Sequence, residues 1–386
     1  MNLNQIIMIA LSLSISGFLS AQTKKEGVVK PIQPIMQDFF NVTTKLNPYL
    51  VSEDKFVDPK SDSELKMLLK EFKEKTIELK KNKLSKNDDM KYRVQQLTDT
   101  VTDAESSFNE GFKNYSYWAL KASLNNCYSC HTDKSLPSTS LVSLTDKNTT
   151  DFQNAEFLFL VRNYTEAIPL FQKLIKEFPK NKISEKQLDE SIKKIVFYLV
   201  RTEENDEKTL KMFDQILRNR KLAEENRRQL LAWEKYVKSK KESTTLNTDT
   251  IKDEVSLKLW ITHRENLAAS YGPMSRRYFI DLETNHFLFK LIEAQPNKDL
   301  KPWLLYYSAD LQKYYRSSMF DMTSELYLTE CIESYPESAA AQKCLDLYKE
   351  IKVESFTGSS GTHIPKSTYD QIKKFEQSIK KAQSKK

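Results

Sequence analysis

The sequence predicts an all-α protein, and two observations carry that expectation. Gly17, Gly27, Gly111, Gly272, Gly358 and Gly361 are the only six glycines in 386 residues, whereas β folds built on tight turns need many more. Long stretches rich in Lys, Glu, Leu and Gln run without Pro, and their apolar residues recur in steps of three and four, the helical period. The same scarcity of Gly excludes a phosphate-binding Gly loop and a dinucleotide fingerprint. The length leaves room for two or three domains.

Charge narrows the partners. Sixty basic residues oppose 53 acidic ones, leaving a net charge of +7. The two signs are mixed along the chain, which argues against nucleic-acid binding, since that needs a concentrated basic stripe. The one biased block is the tail from Lys366, where Lys outnumbers Asp370 and Glu376. It reads as a solvated last helix, or as a docking surface for an acidic partner.

The chain opens with an apolar run from Ile6 to Leu19, followed by small residues and then charge. The run is shorter than the about 20 residues of a bilayer-spanning helix and has the form of an export signal, residues 1–21, cut after Ala21. No Lys or Arg precedes the run, and Leu19 is large for its place two before the cut. No Cys follows the cut, so no lipid anchor is expected. Nor is a membrane span expected in the mature chain.

Four helices are expected next. The first starts at Pro34, a residue suited to a first helical turn. It carries Ile35, Met36, Phe39, Thr43, Leu46 and Leu50 on one face, and Asn47-Pro48 should end or weaken it. The second lies within 61–81, with Ser61 and Glu64 at capping-box spacing and Leu65, Leu68, Phe72, Thr76 and Leu79 as its stripe. The third lies within 87–111. Its Met90, Val94, Leu97, Val101, Ala104 and Phe108 alternate steps of four and three, a bundle seam, and Gly111 stands where a C-terminal cap belongs. The fourth, within 114–131, carries Tyr117, Leu120, Leu124, Cys127 and His131. Short connections favour an up-down-up-down bundle.

The fourth helix ends on Cys127-Tyr128-Ser129-Cys130-His131. Cys-x-x-Cys-His is the spacing of covalent haem attachment. Two thiols three residues apart reach both vinyl groups on one porphyrin edge, and the next residue offers its imidazole to the iron. A zinc site would need a second ligand pair at similar spacing. A thioredoxin-like site would need a βαβ setting, and a Cys127–Cys130 disulfide would strain a helical turn. One haem c per chain is expected, held by Cys127 and Cys130 with His131 as proximal ligand. No Met follows His131 until Met212, so a distal thioether has to come from before the motif. In an up-down-up-down bundle the starts of the first and third helices share an end with the motif. That offers Met36 and Met90 and excludes Met67.

With the motif at the end of a fourth helix, residues 30–135 resemble the cytochrome c-prime family of four-helix haem bundles, over about a quarter of the chain. The matching residues are Cys127, Cys130 and His131. Some members of that family use a Met early in the first helix as distal ligand, and others leave the iron five-coordinate. The resemblance therefore implies Met36 ahead of Met90.

Residues 136–149, rich in Ser and Thr, read as a linker. Residues 150–386 read as an α-helical repeat region. Its opening, "DFQNAEFLFLVRNYTEAIPLFQKLIKEFP", resembles a tetratricopeptide repeat, with Ala155 at the close approach of two helices, Leu158, Ala167 and Phe171 packing them, and Pro179 closing the unit. Only one good copy of that 34-residue pattern is visible, and Pro169 departs from it unless it falls in a first turn. Further helices are expected near 184–201, 206–218, 222–239, 254–269, 274–293, 298–314, 317–334, 339–352 and 366–382, an irregular solenoid suited to docking a protein or peptide. Trp303, Tyr306, Tyr307, Tyr314 and Tyr315 are expected as packing residues. Cys331 and Cys344 should form a disulfide across a turn at "SYPESAA", the default in an oxidising compartment. His263 and His286 are read as ordinary polar or core residues. "FTGSSGTHIP" is read as an ordered turn before the last helix, similar to a loop that closes helical-repeat regions in some exported bacterial proteins.

No paired carboxylates, Ser-His-Asp set or metal-binding His pair stands out, so nothing argues for an enzyme. The expectation is an exported (periplasmic) monohaem c-type cytochrome that transfers electrons to a redox partner docked on the helical repeats. The alternatives are a five-coordinate haem protein that binds NO or CO, and a haem-bearing scaffold.

Overall fold

The computed structural model describes residues 32–82, 88–133, 150–180, 183–240, 250–294, 296–313, 323–359 and 361–384. The side chains of 88–90, 125–126 and 128–133 are not among the described ones. The expected export signal and the expected linker lie outside the described residues, as do Tyr314 and Tyr315. The described chain is all-helical apart from one two-stranded hairpin.

Helix α1 spans Ile32–Leu50 and buries Ile35, Phe39, Val42, Leu46 and Leu50. It does not stop at Asn47-Pro48. Pro48 stands in its last turn, and the helical bond from Val51 N to Asn47 O (3.1 Å) still forms. A proline this close to the end removes a single ladder bond, while Leu46 and Leu50 hold the turn down by burial. The short α2 (Glu53–Val57) seats Phe56 edge-on against Phe108 (5.5 Å) and Tyr117 (5.4 Å).

Helix α3 (Asp62–Lys80) buries the expected stripe, but the expected capping box does not form. Ser61 already has helical angles (φ −86°, ψ −10°) because a 3-10 turn, Pro59–Ser61, runs straight into the helix. A capping residue needs an extended backbone. Capping moves upstream to Asp58, whose carboxylate accepts Lys60 N–H (3.0 Å). Glu64 instead accepts the Tyr49 hydroxyl at 2.6 Å.

Helix α4 (Asp88–Asn109) buries Val94, Leu97, Val101, Ala104 and Phe108. It ends at Gly111 as the sequence predicts. Gly111 takes φ +92°, and Phe112 N–H returns to Ser107 O (2.8 Å) while Gly111 N–H bonds Phe108 O (3.1 Å), the Schellman pattern. Helix α5 (Lys113–Asp133) follows, with Tyr117, Leu120 and Leu124 buried. Helix α1 packs on α3, α3 on α4, α4 on α5, and α5 back on α1.

Helices α6 (Asp151–Leu160) and α7 (Tyr164–Glu177) pack as a pair, with Ala155, Leu158, Ala167 and Phe171 buried as expected. Thr150 and Gln153 form a reciprocal capping box at the start of α6. Pro169 is not in the first turn of α7 but in the second, so it deprives the Thr165 carbonyl of its ladder donor. Buried Ala167, Ile168 and Phe171 around it hold the turn.

Among the described residues nine more helices occupy the expected stretches, all but α12 with shifted ends: α8 (Glu185–Tyr198), α9 (Asp206–Leu217), α10 (Glu224–Lys240), α11 (Glu254–Ser270), α12 (Met274–Glu293), α13 (Lys301–Gln312), α14 (Ser324–Ser334), α15 (Ala339–Ser355) and α16 (Lys366–Gln383). A π-helical turn, Leu199–Glu203, extends α8. The "FTGSSGTHIP" stretch forms a hairpin of β1 (Thr357–Gly358) and β2 (Gly361–Thr362), with Gly361 at φ +103°. Trp303 is buried and its ring lies 6.2 Å from those of Tyr306 and Tyr307, so these aromatics serve packing.

Packing crosses the expected domain boundary. One buried cluster runs from Ile35 to Leu282, and a second joins Tyr92 of α4 to apolar residues of α11 through α16. Helix α12 packs on α10, α11, α13, the π turn and α4. It is buried on nearly every side, Asp281, Glu283, Thr284, Asn285 and His286 included.

Glu283 and Thr284 are tied into a network of buried polar groups. Arg264 of α11, 1% exposed, sends Nε to Thr284 Oγ1 (2.7 Å), one terminal nitrogen to the Tyr236 hydroxyl (2.7 Å), and the other to Ile280 O (2.8 Å) and Glu283 (2.9 Å). The Tyr236 hydroxyl donates to Glu283 as well. Lys240 bridges Glu283 (2.6 Å) and Asp206 (2.8 Å). Burial pushes the Glu283 carboxyl up, but Arg264 and Lys240 outweigh it and hold it below the usual carboxylate range.

Glu283→Gln leaves Arg264 buried without its counter-charge and should cost about 3–5 kcal/mol in denaturant unfolding. The double variant Arg264→Met/Glu283→Leu should lose less than either single variant, and a simple sum would contradict a coupled pair. Cys331 and Cys344 are disulfide-bonded, with Cα atoms 6.4 Å apart, between α14 and α15. Replacing both with Ala should lower stability by about 3 kcal/mol through the unfolded chain, and two freely alkylating thiols in the native protein would contradict the bridge.

Candidate functional site

Cys127, Cys130 and His131 belong to one unbroken helix, since α5 continues to Asp133. Positions i, i+3 and i+4 share one face of a helix, so the three positions fall on one side of α5. Cys127 is half-buried against the cluster that includes Leu120 and Leu124. The side chains of Cys130, His131 and Met90 lie outside the described ones.

Hydrogen bonds fix which residues of neighbouring helices share the motif's level. Ser116 Oγ donates to Ala104 O (2.6 Å) across α4 and α5. The two helices run antiparallel from their shared turn. Counting equally along both from that bond, at equal rise per residue, brings Arg93 level with Cys127, and Met90 level with Cys130. The Tyr117 hydroxyl donates to Leu50 O (3.1 Å) across α5 and α1, and the same count brings Met36 level with His131. A second path runs from the Lys75–Asp38 pair (2.6 Å) to the Thr98 hydroxyl on Thr76 O (3.4 Å). It sets Met36 about two turns higher, near Leu124. Met36 therefore lies between the levels of Leu124 and His131. It is half-buried and packs on the same cluster as Cys127. Met67 is 61% exposed at the other end, where Lys113 at the start of α5 pairs with Asp62 at the start of α3.

Cys127, Cys130 and His131 on α5, with half-buried Met36 between the levels of Leu124 and His131, are of the residue types that could hold an iron porphyrin. Among the described residues, no group of three or more His, Cys, Asp and Glu is placed to hold a metal ion.

Sequence reasoning passed over two buried cations beside this level. Arg93 lies with its guanidinium 3.6 Å over the Phe289 ring of α12, and Arg201, from the π turn that packs on α5, lies 5.8 Å over the same ring. Arg93 directly precedes the seam residue Val94. Its burial comes from α12, which covers the outer side of α4, and nothing in the seven-residue rhythm announces a second layer.

Of the two histidines read as ordinary, His263 is exposed. His286 is buried with Nε2 3.3 Å from Glu204, the left-handed residue (φ +47°) that closes the π turn. The close approach of His286, with a hydrogen bond from Lys290 (2.5 Å), outweighs burial and holds the Glu204 carboxyl down at about 2. A depressed carboxyl stabilises the fold fully above its ordinary value of 4.5 and ceases to do so as the pH falls toward about 2. Glu204→Gln should therefore lower the melting temperature at neutral pH but hardly at pH 2. Equal losses at both would show that the charge is not what Glu204 contributes.

No helix among the described residues is long and apolar enough to cross a membrane. No protein-family model matches the chain, and no curated protein or solved structure matches it either.

Proposed function

We propose that the protein is an exported, periplasmic monohaem c-type cytochrome that passes single electrons to a protein partner. In this reading residues 30–135 are a four-helix haem bundle resembling cytochrome c-prime, and residues 150–386 are a tetratricopeptide-like helical array that docks the partner. The observation that carries the reading is Cys-x-x-Cys-His in the last turns of α5, with half-buried Met36 near its level on α1. Cys127 and Cys130 would hold one haem c through thioethers, His131 would ligate the iron, and Met36, ahead of Met90, would close the distal side. Bound haem would supply one-electron redox chemistry. Met36 as a thioether ligand would raise the potential, and buried Leu120, Leu124 and Val94 would keep water away.

The test is the visible spectrum of the exported, matured protein. A Soret band that stays with the chain in acidic organic solvent, and is lost in Cys127→Ala/Cys130→Ala, is expected. Haem that extracts freely, or a bound zinc without a Soret band, would overturn the reading. The unsubstituted protein should be low-spin, Met36→Ala high-spin, and Met90→Ala little changed. A high-spin spectrum without substitution would move the function to binding NO or CO at an open iron face.

A further inference from the structure

We propose that α16 is an electrostatic contact face for an anionic lipid bilayer. The helix has two unlike sides. Phe375 and Ile379 are buried in the cluster that holds α14 and α15, with the Phe375 ring 5.4 Å from that of Tyr348. Lys366, Lys373, Lys374, Lys380 and Lys381 are all exposed. At 3.6 residues per turn, a step of seven returns almost to the same azimuth. Lys366, Lys373 and Lys380 therefore form one row, and Lys374 and Lys381 the row beside it, opposite the buried pair. From Lys366 to Lys381 the rows run about 22 Å.

The rows are poorly neutralised. Glu376 is engaged by Lys349 of α15 (2.6 Å), off the rows. Lys374 reaches Glu333 only at 3.6 Å, with both side chains largely solvated. Among the described residues, no carboxylate pairs with Lys366, Lys373, Lys380 or Lys381. Asp370 lies among them, leaving the face strongly positive.

The chemistry favours a lipid surface over a protein. Protein interfaces are depleted in Lys and depend on desolvated aromatic or Arg anchors. This face offers only Tyr369, half exposed. Ammonium groups on flexible stems need no fixed partner geometry, which matches a plane of phosphates. Because the apolar side of α16 is already buried in the protein, the contact is adsorption without insertion, and salt must weaken it.

The test uses the full-length matured protein and co-sedimentation with vesicles. Vesicles of phosphatidylcholine with one-third phosphatidylglycerol should retain it at low salt and release it as salt rises, while phosphatidylcholine alone should not retain it. The variant Lys366→Gln/Lys373→Gln/Lys380→Gln/Lys381→Gln should bind at least about ten-fold more weakly with an unchanged circular dichroism spectrum. The control Lys66→Gln/Lys70→Gln/Lys176→Gln/Lys258→Gln, with the same charge loss elsewhere, should bind as the parent does. Equal weakening in both variants would overturn the proposal, as would retention on neutral vesicles. So would binding to poly-glutamate without binding to vesicles, which would assign the face to an acidic protein.

Discussion

The buried ion pair between Arg264 and Glu283 is the constraint on which the helical array rests. An isolated charge inside a protein is costly, and a buried pair survives only when its remaining donors and acceptors are met. Here Thr284, Tyr236, Ile280 O and Lys240 meet them. The bonds reach from α9 through α12, so four helices are held at fixed rotation about their axes. Apolar packing alone tolerates small slides of one helix on another. A guanidinium with several partners at 2.7–2.9 Å does not.

That fixed core explains how α12 can be buried on nearly every side while carrying Asp281, Glu283 and His286. Each acidic or basic group has its answer nearby: Arg277 for Asp281 (2.8 Å), Arg264 and Lys240 for Glu283, Glu204 for His286. Once α12 is anchored, its Phe289 ring becomes a seat for Arg93 of α4 and Arg201 of the π turn. The helix that ties α9, α10 and α11 together is thus also the one that packs on α4 beside the level of Cys127. A second tie lies at the same end of α4. Lys91 pairs with Glu330 (3.2 Å), and Tyr92 meets Tyr327 edge-on (5.0 Å), both partners belonging to the disulfide-bonded helix α14. In a solenoid each repeat touches only its neighbours, and these long-range ties depart from that pattern.

What could be read in advance was local. Helix positions followed from apolar spacing, the stop at Gly111 from the positive φ that Gly adopts without strain, and the motif's place at the end of α5 from the residues themselves. Cys331 and Cys344 could be paired because few residues and one turn separate them. Local reading failed where neighbouring structure changed the conformation a rule assumes. Ser61 has the right residue three positions before Glu64, but the 3-10 turn ahead of it makes it helical and idle as a cap. Pro48 and Pro169 sit inside helices because buried neighbours outweigh one lost bond each.

The sequence by itself determined the all-helical class, the approximate places of the longer helices, the face most of them turn inward, and the helix that carries Cys127, Cys130 and His131. Only the tertiary structure decided what covers the opposite faces. It buried Arg93, Arg201 and Arg264, joined α4 to α12 and α14, and packed Met36 on the same cluster as Cys127 while leaving Met67 in solvent. The reason is physical. A periodic pattern records one helix's preference between water and apolar neighbours. Whether a charged residue on the other side ends in solvent or beneath another helix depends on contacts between residues far apart in the chain, and no local pattern encodes them.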